Sequence, residues 1–496
     1  MLKRLTSQNA FLYALLVVVG FTVSCKKSAN DTDANAVPQG ASGTREELTK
    51  DSIYLYAQQT YFWNVGMPAY TSFNPRQYTS NNAVLNAIKA LPSTGGKDKY
   101  SFIDDGSVAS QLGGVGGDYG FSANFDASDL LRVKYVYPGS PADVQGLKRG
   151  YQITKVNGGG TSRASSSDIA NLNTSIFGDN PSISLTVVKP GGGTQDIVIN
   201  RSTYTINPVL YTNTYTVGAK KIGYIVFNSF TTNAVPALDA AFAKFTTDGV
   251  TELVVDLRYN GGGSVSTSET FTNLIAPPSQ NGKVMYTTYW TKTMQDGTAT
   301  ILQNQKFYAK GNDGVTRLYS YADVSYKPTL AAGNQESFAK RGTLNGLTRV
   351  YFLVTSGTAS ASELLINNLK PVMDVKLIGK TTYGKPVGFF SIRIDKNDLY
   401  IPQFQTKNQL DQGDYFSGMT VNKDVADDLS KDFGDPEERM LAQALYYSAN
   451  NNFTALAKDN NLSSTSGATR VQIDAANEKL DHEFKGMVET RALKFK

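Results

Sequence analysis

From Ile222 the chain exchanges strand-like and helix-like runs in strict turn, and few layered architectures accept that order. "IGYIVFNSF" reads as a strand, "AVPALDAAFAKFTTDGV" as a helix and "TELVVDL" as a second strand. The turn "RYNGGGS" then leads into the helix "STSETFTNLI". After a polar, Tyr-rich stretch, Pro278–Thr343, which reads as an insertion, "RVYFLVT" resumes as a strand. A Ser/Thr-rich turn, a helix to Leu369, the strand "VKLIG" and the loop "KTTYGKPVG" follow. This order predicts βαβ units, a parallel sheet and covering helices. Right-handed crossovers bring the C-terminal ends of such strands to one edge of the sheet, where ligands of open α/β sheets bind. Three Gly- or Ser-rich turns fall on that edge: Gly261–Gly263, Ser356–Ser362 and Gly379–Lys385.

Helix and strand dimensions pair two residues across those turns. A helix from Ala361 to Lys370 climbs about 15 Å, and the strand Val375–Gly379 returns about 16 Å. Ser360 and Lys385 are thereby brought to neighbouring positions. The chain has one histidine, His482, in the polar stretch "EKLDHEFKG", where it reads as a solvated surface residue. With one histidine and one cysteine, neither the common zinc sites nor an ordinary histidine triad can be built. A serine nucleophile here needs another base. Lysine serves if neutral, which requires its ordinary pKa near 10.4 to fall by about three units through burial. Tyr383, Val387, Phe389 and Phe390 flank Lys385 and supply apolar walls. The helix starting after Ser360 aims N–H groups at developing negative charge, and Gly262 can offer another because no side chain blocks it.

A length of 496 residues exceeds one core, so two or more domains are expected. Residues 1–25 combine a basic start (Lys3, Arg4), an apolar run Ala10–Val19 too short to span a bilayer permanently, and small residues before Cys25. "TVSC" resembles a bacterial lipoprotein box with Thr22 where Leu is usual, so Cys25 is the expected lipidation site. Residues 26–43 are polar and Pro/Gly/Ser-containing, as a tether is. This places the chain in a bacterial cell envelope, held to a membrane (the outer one, facing the periplasm or the surface) by its lipid. Residues 44–110 read as a helical subdomain, opening with the capping box "TREE" and including a second helix, Asn82–Leu91. The net charge of +5 is scattered and leaves no footprint for nucleic acid. Asp435 and Pro436 read as the N-cap and first residue of a helix, and the polar tail 450–496 reads as weakly ordered.

Residues 111–202 change to short alternating strands with Gly-rich turns, including the hairpin "SISLTVVKPGGGTQDIVINR". Tyr119, Gly120 and Phe121, with "PGSPA", "GL" and "VNG", resemble a PDZ domain, although Tyr151 stands where its usual Asp would be. The resemblance implies a β-barrel that takes an extended C-terminal peptide and holds its carboxylate on backbone amides at Tyr119–Phe121. Residues 203–449 then read as an α/β core, with 278–343 inserted.

Three motifs in order, "DLRYNGGG" (Asp256–Gly263), "TASASELL" (Thr358–Leu365) and "GKTTYGKPVG" (Gly379–Gly388), resemble the C-terminal processing, or tail-specific, serine proteases. The likeness extends from Asp98 to Tyr447. It implies a multidomain α/β protein with a crotonase/Clp-like core that hydrolyses peptide bonds with a Ser–Lys dyad and no cofactor or metal. Residue by residue, Ser360 is the implied nucleophile and Lys385 its base. The N–H groups of Gly262 and Ala361 form the implied oxyanion hole, and Glu363 is the acidic residue after the nucleophile. Thr358 replaces the first Ser of the motif, and Phe389 stands where many members carry a Gln that orients the lysine. The implied partners are proteins or peptides with free C-termini. The rival class is a weak or inactive relative that holds peptide or apolar ligand on the same fold. "GKTT" lacks the first Gly of a phosphate loop, since Asp374 stands there, and "SFAK" at Ser337 lacks the companion motifs of penicillin-recognising enzymes.

Overall fold

The computed structural model describes residues 42–311, 313–454 and 467–496. Cys25, the signal-like segment and nearly all of the tether lie outside the described residues. A six-stranded sheet forms the centre, in the order Val209–Val217, Lys220–Phe227, Glu252–Asp256, Arg349–Val354, Asp374–Gly379, Lys423–Asp424. The first two strands are antiparallel and the remaining pairs parallel. Asp256 pairs with Leu353, and Leu353 with Ile378, so these strands finish level and their following turns leave from one edge.

The near-continuous apolar strands are explained by burial on both faces. Val255, Phe352 and Val354 join one core with Leu238, Phe271 and Leu364 from the helices Val235–Asp248, Val265–Ile275 and Ala361–Leu369. Val254, Tyr351 and Leu353 face the other way, onto Met440, Leu441 and Ala444 of the helix Arg439–Asn450. That helix starts later than the sequence reading places it. Its cap is Glu438, not Asp435, because the Glu438 carboxylate both accepts from Leu441 N and takes the buried Arg258 guanidinium.

The capping box at Thr44 is formed, and the helix Arg45–Thr60 follows it. Its Ile53, Tyr54 and Ala57 belong to the same core as the central sheet, so this segment has no separate core of its own. Residues 121–200 do have one: an antiparallel sheet, Phe121–Phe125, Leu131–Val136, Gln152–Val156, Ser182–Val188, Thr194–Asn200, packed with the helix Ser166–Phe177.

Two further expectations are corrected. Residues 278–343 are not a mere interruption: Val284–Trp290 pairs with Phe404–Asn408, and its Met285, Tyr286 and Trp290 are buried in the main core. The hairpin Lys306–Lys310/Thr316–Ser320 is a largely exposed ribbon, alternating in exposure along its first strand. The tail is not weakly ordered beyond 466. Gly467–Lys479 is a helix, and Gly486–Val488 is a strand paired parallel with Gly262–Ser264.

Candidate active site

Gly262, Ser360, Ala361, Glu363 and Lys385 lie on or just beyond the turns that leave one edge of the central sheet. The turn after Glu252–Asp256 is tied down by Arg258, which is fully buried. It donates to Asp256 at 2.8–3.1 Å and pairs both oxygens of Glu438 at 2.9 and 3.0 Å. Paired on both sides, the guanidinium avoids the cost of a lone buried charge and becomes the anchor of the "DLRYNGGG" loop. Asn260, which the sequence reading passed over, then bridges to the serine turn. Its carbonyl accepts from Ala359 N at 3.1 Å and Ser362 Oγ at 3.0 Å, while its amide donates to Phe227 O at 2.8 Å. Its Oδ1 accepts the Gly262 N–H at 2.9 Å, so one expected oxyanion donor is already engaged.

Ser360 ends the turn before the helix Ala361–Leu369 with φ 62° and ψ −110°, a conformation costly for any residue with a Cβ. The strain aims the residue off the helix path. Ser360 is buried, and its Oγ has no hydrogen-bond partner among the described residues. The neighbouring Ala361 N lies 2.9 Å from the point a Cβ on Gly262 would occupy. Only glycine, here at φ 108°, lets the two turns approach this closely.

Glu363 organises the rest. Its Oε2 accepts the backbone N–H of Ser360 and of Lys385, each at 2.8 Å. Its Oε1 accepts from Thr382 Oγ1 at 2.5 Å and Gly384 N at 2.7 Å. One carboxylate oxygen thus pins both turns, and the "TASASE" and "YGK" segments meet across it. Complete burial raises the Glu363 pKa, against the pull of those four donors.

Lys385 is buried with its ammonium against aromatic faces: Phe389 at 4.1 Å and Tyr100 at 5.5 Å from the ring centroids. Phe389 therefore sets a ring face, with no hydrogen-bonding side-chain group, against the amine. Phe390, expected as a second wall, instead stacks on Tyr321 at 4.3 Å. Desolvation lowers the Lys385 pKa to about 7, opposed by the fields of Asp98 and Glu363. At neutral pH a large fraction of this amine is uncharged, the state a general base requires. Its hydrogen-bond partner among the described residues is not Ser360. Nζ donates to the carbonyl of Lys485, at 2.7 Å, just before the C-terminal strand.

The expected carboxylate loop is also engaged. Gly120 N donates to Asp118 Oδ1 at 2.8 Å, Gly120 has φ 81°, and the Tyr119 hydroxyl donates to Asn180 O at 2.8 Å. Phe121 opens the first strand of its sheet. His482 is exposed and stacks on Phe177 at 4.3 Å, far in role from a catalytic base.

Residues 221–426 match the family model for peptidase family S41. The "C-terminal processing peptidase, chloroplastic" of Tetradesmus obliquus is 26% identical over 291 residues, 55% of this chain and 52% of that protein. The "Probable CtpA-like serine protease" of Staphylococcus aureus (strain N315) is 26% identical over 356 residues, 71% of this chain and 60% of that protein. The chain thus spans between half and two thirds of these curated relatives. Among solved structures, the "Putative S41 protease" from Bacteroides fragilis NCTC 9343 superposes with a TM-score of 0.60 at 25% identity, covering 81% of this chain and 97% of that one.

Proposed function

We propose, from the match of residues 221–426 to the model of peptidase family S41, that the protein is a serine endopeptidase of the C-terminal processing type with a Ser360–Lys385 dyad. It is held to the cell envelope through lipid on Cys25. The module 111–202, read as PDZ-like, delivers protein C-termini to the sheet edge. One observation carries the catalytic reading. Buried Lys385, with its pKa drawn down to about 7, shares a single Glu363 oxygen with Ser360.

In this mechanism the neutral Lys385 amine takes the Ser360 hydroxyl proton as Oγ attacks the scissile carbonyl. The Ala361 N–H, joined by Gly262 N–H once Asn260 releases it, stabilises the tetrahedral oxygen. The C–N bond breaks, the leaving amine takes the proton from the Lys385 ammonium, and an acyl-enzyme ester remains. Water, deprotonated by Lys385, attacks that ester and frees Ser360 and the new carboxyl terminus. The strained backbone at Ser360 presents Oγ before substrate arrives.

The test is cleavage of an unfolded protein by wild type, Ser360→Ala and Lys385→Ala. Removing the base is expected to cost about 100- to 10,000-fold in rate, and removing the nucleophile at least as much. Equal activity in all three removes the dyad. Binding of unfolded protein without cleavage by any of them supports the rival binding-protein reading.

A further inference from the structure

The C-terminal segment does more than fold back on the protein. It fills both of the places that the peptidase reading assigns to substrate. The strand Gly486–Val488 lies in the slot between Gly262–Ser264 and Phe389, bonded on both sides. Gly486 N donates to Gly261 O at 3.0 Å, Phe389 N to Met487 O at 3.0 Å, and Glu489 N to Phe389 O at 2.8 Å. The slot is built for main chain. A Cβ on Gly261 would meet Phe484 O at 2.0 Å, on Gly262 it would meet Gly486 O at 2.3 Å, and on Gly388 Met487 O at 2.7 Å. Glycines on both walls are what close backbone approach demands. Just before this strand the Lys485 carbonyl accepts from the Lys385 amine, and Ser360 Oγ has no hydrogen-bond partner among the described residues.

Upstream, the helix Gly467–Lys479 covers the strand Phe121–Phe125 and the helix Ser166–Phe177. Ile473, Ala476 and Leu480 complete the core of that module. Asn477 imitates a paired strand: its Oδ1 accepts from Phe125 N at 2.8 Å, and its Nδ2 donates to Phe125 O at 2.9 Å. The open edge of a sheet that would accept an added peptide strand is thereby capped at Phe125. Glu483, bound to buried Lys134 at 2.6 Å, clips the connecting residues in place.

We propose that residues 467–496 are a built-in pseudosubstrate: one continuous path, from the 121–125 edge to the Ser360 cleft, receives an extended polypeptide and is occupied at rest by the chain's own tail. The inference rests on the peptidase reading and deepens it. The path accepts main chain against its glycine walls, with a residue lacking a side chain opposite Gly262 (Gly486 in the tail) and an apolar one following, as Met487 does. An unfolded polypeptide that takes the 121–125 edge evicts the helix, withdraws residues 484–489, and returns the Lys385 amine to Ser360. Because a single segment blocks both places, capture and activation are linked.

Ser264 Oγ and Thr490 Oγ1 touch at 2.7 Å and allow the tail to be locked. The full chain carrying Cys25→Ser, Ser264→Cys and Thr490→Cys is assayed oxidised and reduced against reduced, carboxymethylated α-lactalbumin. The oxidised form is expected to cleave at least about tenfold more slowly than the reduced one. Equal cleavage in both forms overturns the proposal and leaves the peptidase reading standing. If neither form nor the wild type cleaves, the peptidase reading fails, and a second measurement still decides the pseudosubstrate. Hydrogen exchange of Ser360→Ala is followed with and without the same unfolded protein. Faster exchange at 473–480 and 484–489 on adding it supports displacement, and unchanged protection of both overturns it.

Discussion

Replacing Lys385 by Met keeps the length of the side chain and its apolar contacts but removes the amine, and so isolates the energetics of the proposed base. A pKa lowered from 10.5 to about 7 in a fully buried group means that the folded chain disfavours the ammonium by about 5 kcal/mol. Below about pH 7 both folded and unfolded chains hold the proton, and the wild type bears that whole penalty. Between about 7 and 10.5 the unfolded chain binds a proton that the folded chain does not, so wild-type stability rises with pH. The methionine variant lacks this contribution. The stability of wild type relative to Lys385→Met should therefore climb by about 1.4 kcal/mol per pH unit in that window, about 2.5 kcal/mol between pH 7.5 and 9.5. Near pH 7 the variant is the more stable of the two. Guanidinium unfolding followed by tryptophan fluorescence reads this unit selectively, since Trp290 lies in the main core and Trp63 packs against it. A difference that stays flat with pH would mean a charged amine inside the fold, unable to take the Ser360 proton, and would refute the reasoning.

Other perturbations give outcomes of different kind. Phe389→Ala opens the Lys385 wall to water, so the amine pKa returns toward its ordinary value and the acid limb of the pH–rate profile moves to higher pH. Glu363→Gln places an amide before four donors that all need an acceptor. It should cost about 2–4 kcal/mol in denaturant unfolding and lower the rate by separating the two turns. Arg258→Met strands Asp256 and Glu438 as buried charges and should destabilise by about 3–5 kcal/mol, read as a lowered melting temperature.

The parallel core was legible because its signal is local. Fully buried strands read as unbroken apolar runs, and the turn from Leu353 to Ser360 can only feed a helix. The meeting of the Ser360 and Lys385 turns, whose backbone N–H groups share Glu363 Oε2, followed from counting rise along Ala361–Leu369 and Asp374–Gly379. Asn260 was not legible, because its role comes from hydrogen bonds to Phe227, Ala359 and Ser362, which the chain separates widely. Position 435 misled for a related reason: an Asp–Pro pair is a good helix start in isolation, but Glu438 is recruited by Arg258 from another turn. In the tail, Ile473, Ala476 and Leu480 do carry helical spacing. Their polar neighbours hid it, and a three-residue strand such as Gly486–Val488 exists only by virtue of the slot that receives it.

The account stands on an uncharged Lys385 acting on Ser360. Peptide mapping by mass spectrometry after reaction with a serine-directed phosphonate at pH 8 tests this directly. The predicted result is a single adduct on Ser360 in the wild type, formed far more slowly in Lys385→Met. An adduct on a different serine, or labelling of Ser360 at the same rate in both proteins, would contradict it.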